Sequence, residues 1–211
     1  MRALAARERA FAAELEAWGP PPMWERPATF ATLVHVVLEQ KISIESALAV
    51  MARVAALVAR EAGDAVVPSD PSAPFDFAAE HLLRVPEAAL REAGATAAKA
   101  RCLRALAEAA NAGELDLDAL ARRPDAEVVA ALVAVRGVGP WTAGVWLAIV
   151  LRRPDAWPPG DRALAVGAAE TLGLDAVPSY PELDRIAARW SPYRGAACRM
   201  LWHAYLSRRN R

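Results

Sequence analysis

The stretch from Leu132 to Ala143 reads Leu-Val-Ala-Val-Arg-Gly-Val-Gly-Pro-Trp-Thr-Ala. An apolar helical pattern runs into the Gly-Val-Gly turn at 137–139, and a second helical pattern begins at once. Glycine permits backbone angles that other residues avoid, and it removes side chains from the turn. Pro140 suits the first turn of a helix, where its missing N–H costs nothing. Because N–H groups at a helix start can bind a phosphate, the pattern fits a phosphate-binding hairpin as well as an ordinary glycine-capped joint.

The segment Trp157-Pro158-Pro159-Gly160-Asp161-Arg162-Ala163-Leu164 follows about twenty residues later. It places an acidic residue directly after a Pro-Gly turn, at the predicted start of a helix. As a simple N-cap, Asp161 would stabilise that helix by about 1 kcal/mol. As a catalytic group, it would be a carboxylate projecting from a rigid turn near the hairpin. The residues alone leave both interpretations open.

Apolar residues recur at three- and four-residue spacing along nearly the whole chain, separated by Pro, Gly and Asp, and strand patterns are almost absent. An irregular connection is predicted over residues 67–71. The spacing predicts an all-α protein with helices, to within about three residues at each end, over 2–17, 28–39, 44–61, 76–83, 87–93, 96–111, 117–121, 125–134, 141–151, 161–172, 180–190 and 192–207.

Composition limits the functional classes. The formal net charge is zero, yet from Arg136 to the C-terminus the chain carries 11 Arg, no Lys and 6 acidic residues. This imbalance predicts a phosphate-facing surface or a set of solvated helix faces. Cys102 and Cys198 are far apart, which argues against a zinc, iron–sulfur or disulfide framework and favours two small buried side chains. No apolar run reaches the roughly 18 residues of a membrane span, and no signal peptide is apparent, so we expect a cytosolic protein without membrane contact.

Four segments in order resemble one family. Residues 137–143 together with 159–161 resemble the helix-hairpin-helix, Gly/Pro loop and Asp signature of the HhH-GPD DNA glycosylases. Residues 38–43, Leu-Glu-Gln-Lys-Ile-Ser, resemble the stretch ahead of that family's DNA-probing loop. Residues 189–197, Arg-Trp-Ser-Pro-Tyr-Arg-Gly-Ala-Ala, resemble a segment of the 3-methyladenine glycosylase II type, and residues 90–100 also fit. The resemblance spans residues 24–207, in a compact form without the N-terminal β domain of longer members.

The resemblance implies a two-lobed helical fold with a DNA-binding cleft between the lobes. Residues 1–211 would form a single glycosylase unit. One lobe would cover residues 42–150 and end in the hairpin, and the other would combine residues 1–41 with 151–211.

The resemblance also implies a reaction. Asp161 would be the catalytic carboxylate for hydrolysis of the N-glycosidic bond, because it can stabilise the positive charge that builds on the sugar. Bifunctional relatives carry a lysine where this chain has Trp141, and an indole cannot form a Schiff base. We therefore expect a monofunctional base-excision-repair enzyme that removes alkylated purines such as 3-methyladenine and 7-methylguanine from duplex DNA and leaves an abasic site.

The remaining site residues follow from the same resemblance. The flipped base would contact Trp141 and Tyr193, whose aromatic faces attract a cationic base, with Val145 and Trp146 beside them. The expected DNA contacts are Gly137, Val138, Gly139, Thr142, Gln40, Lys41, Ile42 and Ser43. Lys41 stands where relatives insert an apolar side chain into the vacated stack, so Ile42 is an alternative probe.

No cofactor is expected beyond a structural Na⁺ or K⁺ held by the backbone carbonyls of Val133, Val135 and Gly137. The expected partner is double-stranded DNA that contains a damaged base, bound by a monomer. Two alternatives stay open. One is a glycosylase for another lesion, such as uracil, mispaired thymine or an oxidised purine. The other is a helix-hairpin-helix protein that binds DNA without catalysis.

Overall fold

A computed structural model describes residues 1–63 and 75–209, and all regular structure in those ranges is helical, as predicted. The predicted connection over residues 67–71 lies outside the described residues. Within the described ranges, no helix is both long and apolar enough to cross a membrane. The α-helices are α1 (Arg2–Ala5), α2 (Arg9–Trp18), α3 (Phe30–Leu38), α4 (Ile44–Ala62), α5 (Ala79–Arg84), α6 (Glu87–Glu92), α7 (Ala97–Asn111), α8 (Leu117–Leu120), α9 (Asp125–Ala134), α10 (Pro140–Val145), α11 (Arg162–Leu172), α12 (Tyr180–Ala188) and α13 (Arg194–Ser207), and a π-helix (Trp146–Val150) follows α10.

The chain divides into two compact units. The terminal unit combines Met1–Glu25 with Leu147–Arg211, and it contains α1, α2, α11, α12 and α13. The central unit is Arg26–Trp146, and it contains α3 to α10.

The first boundary of the predicted lobes is wrong, because residues 26–41 belong with the central unit rather than with the N-terminus. Nearly every side chain of α3 is buried, and the helix packs against α4 and α7. A helix that is apolar on all sides must be covered on all sides, and α3 finds that cover inside the central unit. The second predicted boundary, at 150, lies close to the observed one at 146.

The core of the terminal unit forms where α11 packs along α13 and both contact α2. Phe11 and Trp190 meet edge to face in this core, with ring centroids 5.2 Å apart. Gly167 permits the close approach of α11 to α13, because a Cβ there would lie 2.9 Å from the carbonyl oxygen of Leu201. The buried members of the core are Leu4, Phe11, Leu164, Ala165, Ala168, Leu183, Ala187, Trp190, Ala197, Cys198, Met200 and Leu201.

Two predicted helices differ in detail from the observed ones. The helix expected over residues 2–17 is two helices, because Glu8 has an extended backbone (φ −132°) and begins α2 as its N-cap. Leu4 and Phe11, on either side of this break, both reach the core of the terminal unit. The helix expected over residues 141–151 begins as α10 and continues as the π-helix.

Candidate functional site

The hairpin between α9 and α10 requires glycine at its first turn position. Gly137 has φ +93°, in the left-handed region that side chains disfavour. A Cβ at this position would also lie 2.7 Å from the Cβ of Cys102 on α7. Both the backbone angle and the packing therefore demand glycine here.

Gly139 is different, which corrects the expectation that both glycines adopt angles forbidden to other residues. Its φ is −106°, and a Cβ built on it would meet nothing within 4 Å. It serves as the N-cap of α10, and Pro140 follows at the first helical position. Nothing in the protein's own packing requires glycine at 139, so its absent side chain leaves the backbone at the start of α10 open to a ligand.

Gln40 ties the end of α3 to the hairpin. Its Nε2 donates to the carbonyl oxygen of Gly137 at 3.3 Å and to Oγ1 of Thr142 at 2.9 Å. Thr142 is only 1% exposed and Val138 is 5% exposed. Gln40 and Thr142 thus bond to each other and Val138 packs inside the central unit, while the contact of these three residues with DNA stays a prediction.

The loop after Gln40 presents two exposed side chains. Lys41 has φ +58°, an uncommon angle for a residue with a side chain, and it is exposed. Ile42 is 42% exposed. Ser43 is instead the N-cap of α4, where its hydroxyl accepts from the N–H of Ser46 at 3.2 Å. Lys41, Ile42 and Ser43 are all exposed, and Ser43 differs from the other two in that its hydroxyl caps α4.

Glu39 makes a contact that sequence reasoning did not find. Its carboxylate accepts from both terminal nitrogens of Arg26, at 2.7 and 3.0 Å. The imidazole of His35 lies 3.7 Å from the same carboxylate. Since Glu39 ends α3, where a negative charge opposes the helix dipole, Arg26 offsets that cost. The acidic residue in this segment is thus paired inside the central unit.

The candidate catalytic carboxylate lies in the terminal unit. Asp161 is the N-cap of α11 and is 7% exposed. Its Oδ1 accepts from the backbone N–H of Leu164 at 2.8 Å and from the indole Nε1 of Trp202 at 3.3 Å. Burial raises the pKa of the neighbouring Cys198 thiol well above its usual value, and the nearby Asp161 carboxylate adds to the shift. Trp202 was missed by sequence reasoning, although it is an aromatic residue in α13, five residues after the end of the 189–197 segment.

The four predicted pocket residues are not equivalent. Trp141, at the second position of α10, is half-buried. Val145 is 4% exposed and Trp146 is fully buried, so both side chains lie in the packed interior, and their place beside a flipped base stays a prediction. Tyr193 is half-buried, and the guanidinium of Arg7 lies 5.9 Å from its ring centroid. The protein's own cation therefore uses one face of the Tyr193 ring.

The three carbonyls expected to hold a monovalent cation lie at the end of α9 and in the hairpin. The carbonyl of Val135 accepts from the N–H of Val138 at 3.0 Å, and that of Gly137 accepts from Gln40. A carbonyl oxygen has two lone pairs, so each retains acceptor capacity for a hard cation. Within the described ranges, no group of three or more His, Cys, Asp or Glu could hold a metal ion.

Five of the 11 arginines in the basic C-terminal third make contacts within the terminal unit. Arg152, Arg194, Arg208 and Arg209 pair with Glu25, Asp155, Glu14 and Glu170, respectively. Arg199 is 5% exposed and donates to the backbone carbonyls of Met23 and Ala148. These five arginines therefore have partners within the terminal unit, and a phosphate-facing surface stays a prediction. Arg136, Arg162 and Arg189 remain exposed.

The hairpin at residues 137–139, the loop at residues 39–43 and the N-cap carboxylate of Asp161 are the features in which the sequence resembles the HhH-GPD DNA glycosylases. Comparison with known families gives the same class. Residues 34–192 match the family described as HhH-GPD superfamily base excision DNA repair protein. Because the match covers most of the chain, this protein belongs to the HhH-GPD superfamily.

The chain is similar in sequence to curated proteins whose names refer to 3-methyladenine or alkylated bases. It is similar to the DNA-3-methyladenine glycosylase of Bacillus subtilis strain 168, with 27% identity over 123 residues, covering 58% of this chain and 41% of that protein. It is also similar to the alkylbase DNA glycosidase-like protein mag2 of Schizosaccharomyces pombe, with 28% identity over 114 residues, covering 54% of each. The matched regions span only 14% to 54% of the curated relatives' length.

A solved structure matches over more of the chain. The fold is similar to the crystal structure of a DNA-3-methyladenine glycosidase from Bacillus halodurans, with a TM-score of 0.72 and 29% sequence identity. The match covers 98% of this chain and 89% of that one.

Proposed function

We propose that this protein is a DNA glycosylase that hydrolyses the N-glycosidic bond of alkylated purines, such as 3-methyladenine and 7-methylguanine, in duplex DNA. The observation that carries the proposal is the geometry of Asp161, a buried carboxylate fixed at the start of α11 by donors from Leu164 and Trp202. It follows the turn Pro159-Gly160, which resembles the Gly/Pro loop of the family's signature and lies within the residues 34–192 that match the family.

The carboxylate would act on charge that develops during the reaction. As the base departs, the electron pair of the N-glycosidic bond neutralises the cationic purine, and the sugar becomes an oxocarbenium-like cation. Water then adds to the anomeric carbon and releases its proton to solvent. Opposite unit charges about 4 Å apart attract by about 4 kcal/mol at an effective dielectric constant of about 20, which corresponds to about 10³-fold in rate. Because Asp161 is already held in place, little reorganisation is needed when the cation forms.

The hairpin would supply the grip on DNA. A Cβ at Gly139 would meet nothing within 4 Å, so a phosphate could approach the start of α10, where the N–H groups that follow Pro140 would bind it. In the loop before α4, the exposed Ile42 would fill the space that a flipped base vacates, while Lys41 would meet a phosphate. Duplex DNA bound by a monomer is therefore the proposed partner, and affinity should fall with added salt.

The proposed substrate is an alkylated purine. Such a base is cationic, so an aromatic side chain attracts it, and its charge makes it a good leaving group. The similar proteins from Bacillus subtilis and Schizosaccharomyces pombe carry names that refer to 3-methyladenine and alkylated bases. Trp141 remains half-exposed and is our candidate for stacking on the flipped cationic base.

The proposed enzyme is monofunctional. Trp141 stands where bifunctional relatives carry the lysine nucleophile, and the chain has lysine only at 41 and 99. Lys99 is 8% exposed and bonded to a backbone carbonyl, so Lys41 is the accessible lysine amine. Borohydride should therefore trap no covalent complex with abasic DNA. A trapped complex that disappears in Lys41→Ala would overturn the monofunctional assignment.

We also propose that Na⁺ or K⁺ binds the carbonyls of Val133, Val135 and Gly137. The bound ion would order the hairpin and take no part in bond cleavage. Thermal unfolding in NaCl, KCl and tetramethylammonium chloride at equal ionic strength should then give a lower Tm in the bulky organic salt. Equal Tm values in all three salts would count against a cation site.

The central experiment measures base release from duplexes that contain 3-methyladenine or 7-methylguanine, with Asp161→Asn alongside. Asparagine caps a helix as well as aspartate, so this variant should fold normally. Its rate should fall by about 10³-fold, since it lacks the charge. Asp184→Asn is the matched control, because Asp184 also accepts from an indole, Nε1 of Trp157 at 2.9 Å, but is exposed. It should retain the full rate.

The outcomes separate the alternatives. Release that persists in a folded Asp161→Asn variant would refute the proposed mechanism. Binding without release from alkylated DNA would refute the substrate, and a panel with uracil, mispaired thymine and 8-oxoguanine would then identify another lesion. Binding without release across the whole panel would indicate a non-catalytic DNA-binding protein.

A further inference from the structure

Lys99 is a buried cation in an unfavourable position. It is the third residue of α7, and it is 8% exposed. A helix N-terminus carries partial positive charge, so a cation there is disfavoured. Burial also lowers the pKa of its ammonium group, which reflects the cost of removing the charge from water.

The contact that offsets this cost joins Lys99 to the residue just before the Glu39–Ser43 loop. The Nζ of Lys99 donates to the carbonyl oxygen of Leu38 at 2.7 Å, and Leu38 is the last residue of α3. The final carbonyls of a helix lack partners within the helix, and a cation suits this negative end of the dipole. Lys99 therefore fixes the point at which the chain leaves α3 and enters the segment Glu39–Ser43.

The next two residues are held as well, each by a different part of the central unit. Arg26 binds the carboxylate of Glu39 with two hydrogen bonds. Gln40 donates to Gly137 and Thr142 in the hairpin. Three consecutive residues, Leu38, Glu39 and Gln40, are thus anchored by side-chain contacts before the chain turns outward.

The outward turn itself is strained. Lys41 adopts φ +58°, a left-handed angle that is unfavourable for a residue with a side chain. Strained residues persist where the surrounding structure fixes them, and the anchored residues before Lys41 do so. The exposed Lys41 and Ile42 therefore project from a fixed base rather than from a mobile loop.

We propose that Lys99 and Gln40 form a clamp that couples the Glu39–Ser43 loop to the hairpin. The loop and the hairpin then present one preorganised surface to DNA, and Lys99 is a positioning residue for that surface. The role of this surface in DNA binding rests on the proposed function, whereas the coupling itself does not. Lys99 makes no chemical contribution to base release in this proposal.

The test compares Lys99→Met, which keeps the length of the side chain and removes its donor, with Lys99→Arg, which keeps a donor. Arg104→Met is the matched control, because Arg104 also lies on α7 and donates to a backbone carbonyl, that of Val85 at 2.9 Å. Gln40→Met removes the second point of the clamp and serves if Lys99→Met fails to fold.

Hydrogen exchange of the free protein tests the coupling without DNA. Lys99→Met should speed amide exchange at least tenfold in both Glu39–Ser43 and the hairpin residues 135–139. Arg104→Met should leave these segments unchanged, and Lys99→Arg should restore most of the protection. Gln40→Met should speed exchange in the hairpin. Unchanged hairpin exchange in both Lys99→Met and Gln40→Met would overturn the clamp.

DNA binding and single-turnover base release test the positioning role. Lys99→Met should weaken duplex binding by about tenfold, while the rate at saturating enzyme changes by less than about threefold. Equal losses in Lys99→Met and Arg104→Met would mean that Lys99 acts through general stability, and would overturn the role. If the wild-type protein neither binds DNA nor releases base, the proposed function fails, and the exchange experiment still decides the coupling.

Discussion

Replacement of Gly137 by alanine gives a sharp test of the hairpin geometry. Alanine at φ +93° would incur the cost of a left-handed conformation, about 1–2 kcal/mol. Its Cβ would also lie 2.7 Å from the Cβ of Cys102, and relief of such crowding in a packed region costs about 1–3 kcal/mol. We therefore expect Gly137→Ala to lower the free energy of unfolding by about 2–5 kcal/mol.

Gly139→Ala is the matched comparison, two residues away in the same turn. Its φ of −106° is accessible to alanine, and the added methyl would meet nothing within 4 Å. We expect the free energy of unfolding to change by less than about 0.5 kcal/mol. Duplex binding should nevertheless weaken by about tenfold or more, because the methyl group would separate a phosphate from the N–H groups of α10.

Urea unfolding of the two variants and the wild type provides the assay. With an m-value of about 2–3 kcal/mol/M, Gly137→Ala should shift the midpoint by about 1–2 M, and Gly139→Ala should leave it in place. Equal midpoints for Gly137→Ala and the wild type would refute the packing argument. A Gly139→Ala variant that binds duplex DNA with wild-type affinity would refute the role of the open backbone.

Further predictions concern thiols, pH and the indole donor. Burial raises the pKa of Cys102 to about 11 and raises that of Cys198 well above its usual value, so Ellman's reagent at pH 8 should titrate neither thiol in the folded protein and both in urea; a fast-reacting native thiol would contradict this. Burial lowers the pKa of His35, so the unfolded chain binds the extra proton first, and stability should fall as pH drops below about 6.5. His35→Gln should reduce that dependence, and identical pH curves would exclude His35 as its source. Trp202→Phe removes a donor to Asp161 and should slow base release by about tenfold with normal folding; an unchanged rate would show that this hydrogen bond does not position the carboxylate.

The helices were predictable because their patterns are local. The apolar spacing predicts a helix over 125–134, and α9 covers those residues. The sequence predicts a helix over 96–111, and α7 begins one residue later, with Thr96 as its N-cap. The interruption at Glu8 was not predictable, since the apolar spacing continues across it and no Pro or Gly marks the break.

The candidate site was predictable where chemistry depends on residue type, and not where it depends on tertiary contacts. Asp161 could be singled out from its place after Pro-Gly, and its capping role was among the alternatives. Gln40 and Thr142 are 102 residues apart, so no local pattern indicates that they bond to each other. Lys99 did carry a signal, as one of only two lysines in an arginine-rich chain, but its acceptor is a backbone carbonyl, which every residue possesses.

The two interpretations of Asp161, helix cap and catalyst, are consistent with each other. The cap bond to Leu164 and the indole bond from Trp202 fix the carboxylate, and the N-terminal end of α11 stabilises a negative charge placed there. The cap bond by itself does not require aspartate, because asparagine caps a helix equally well. Under the proposed function, the charge of aspartate also stabilises the positive charge that develops on the substrate. A variant that differs in charge and keeps the cap therefore separates the chemistry of this position from its structural role.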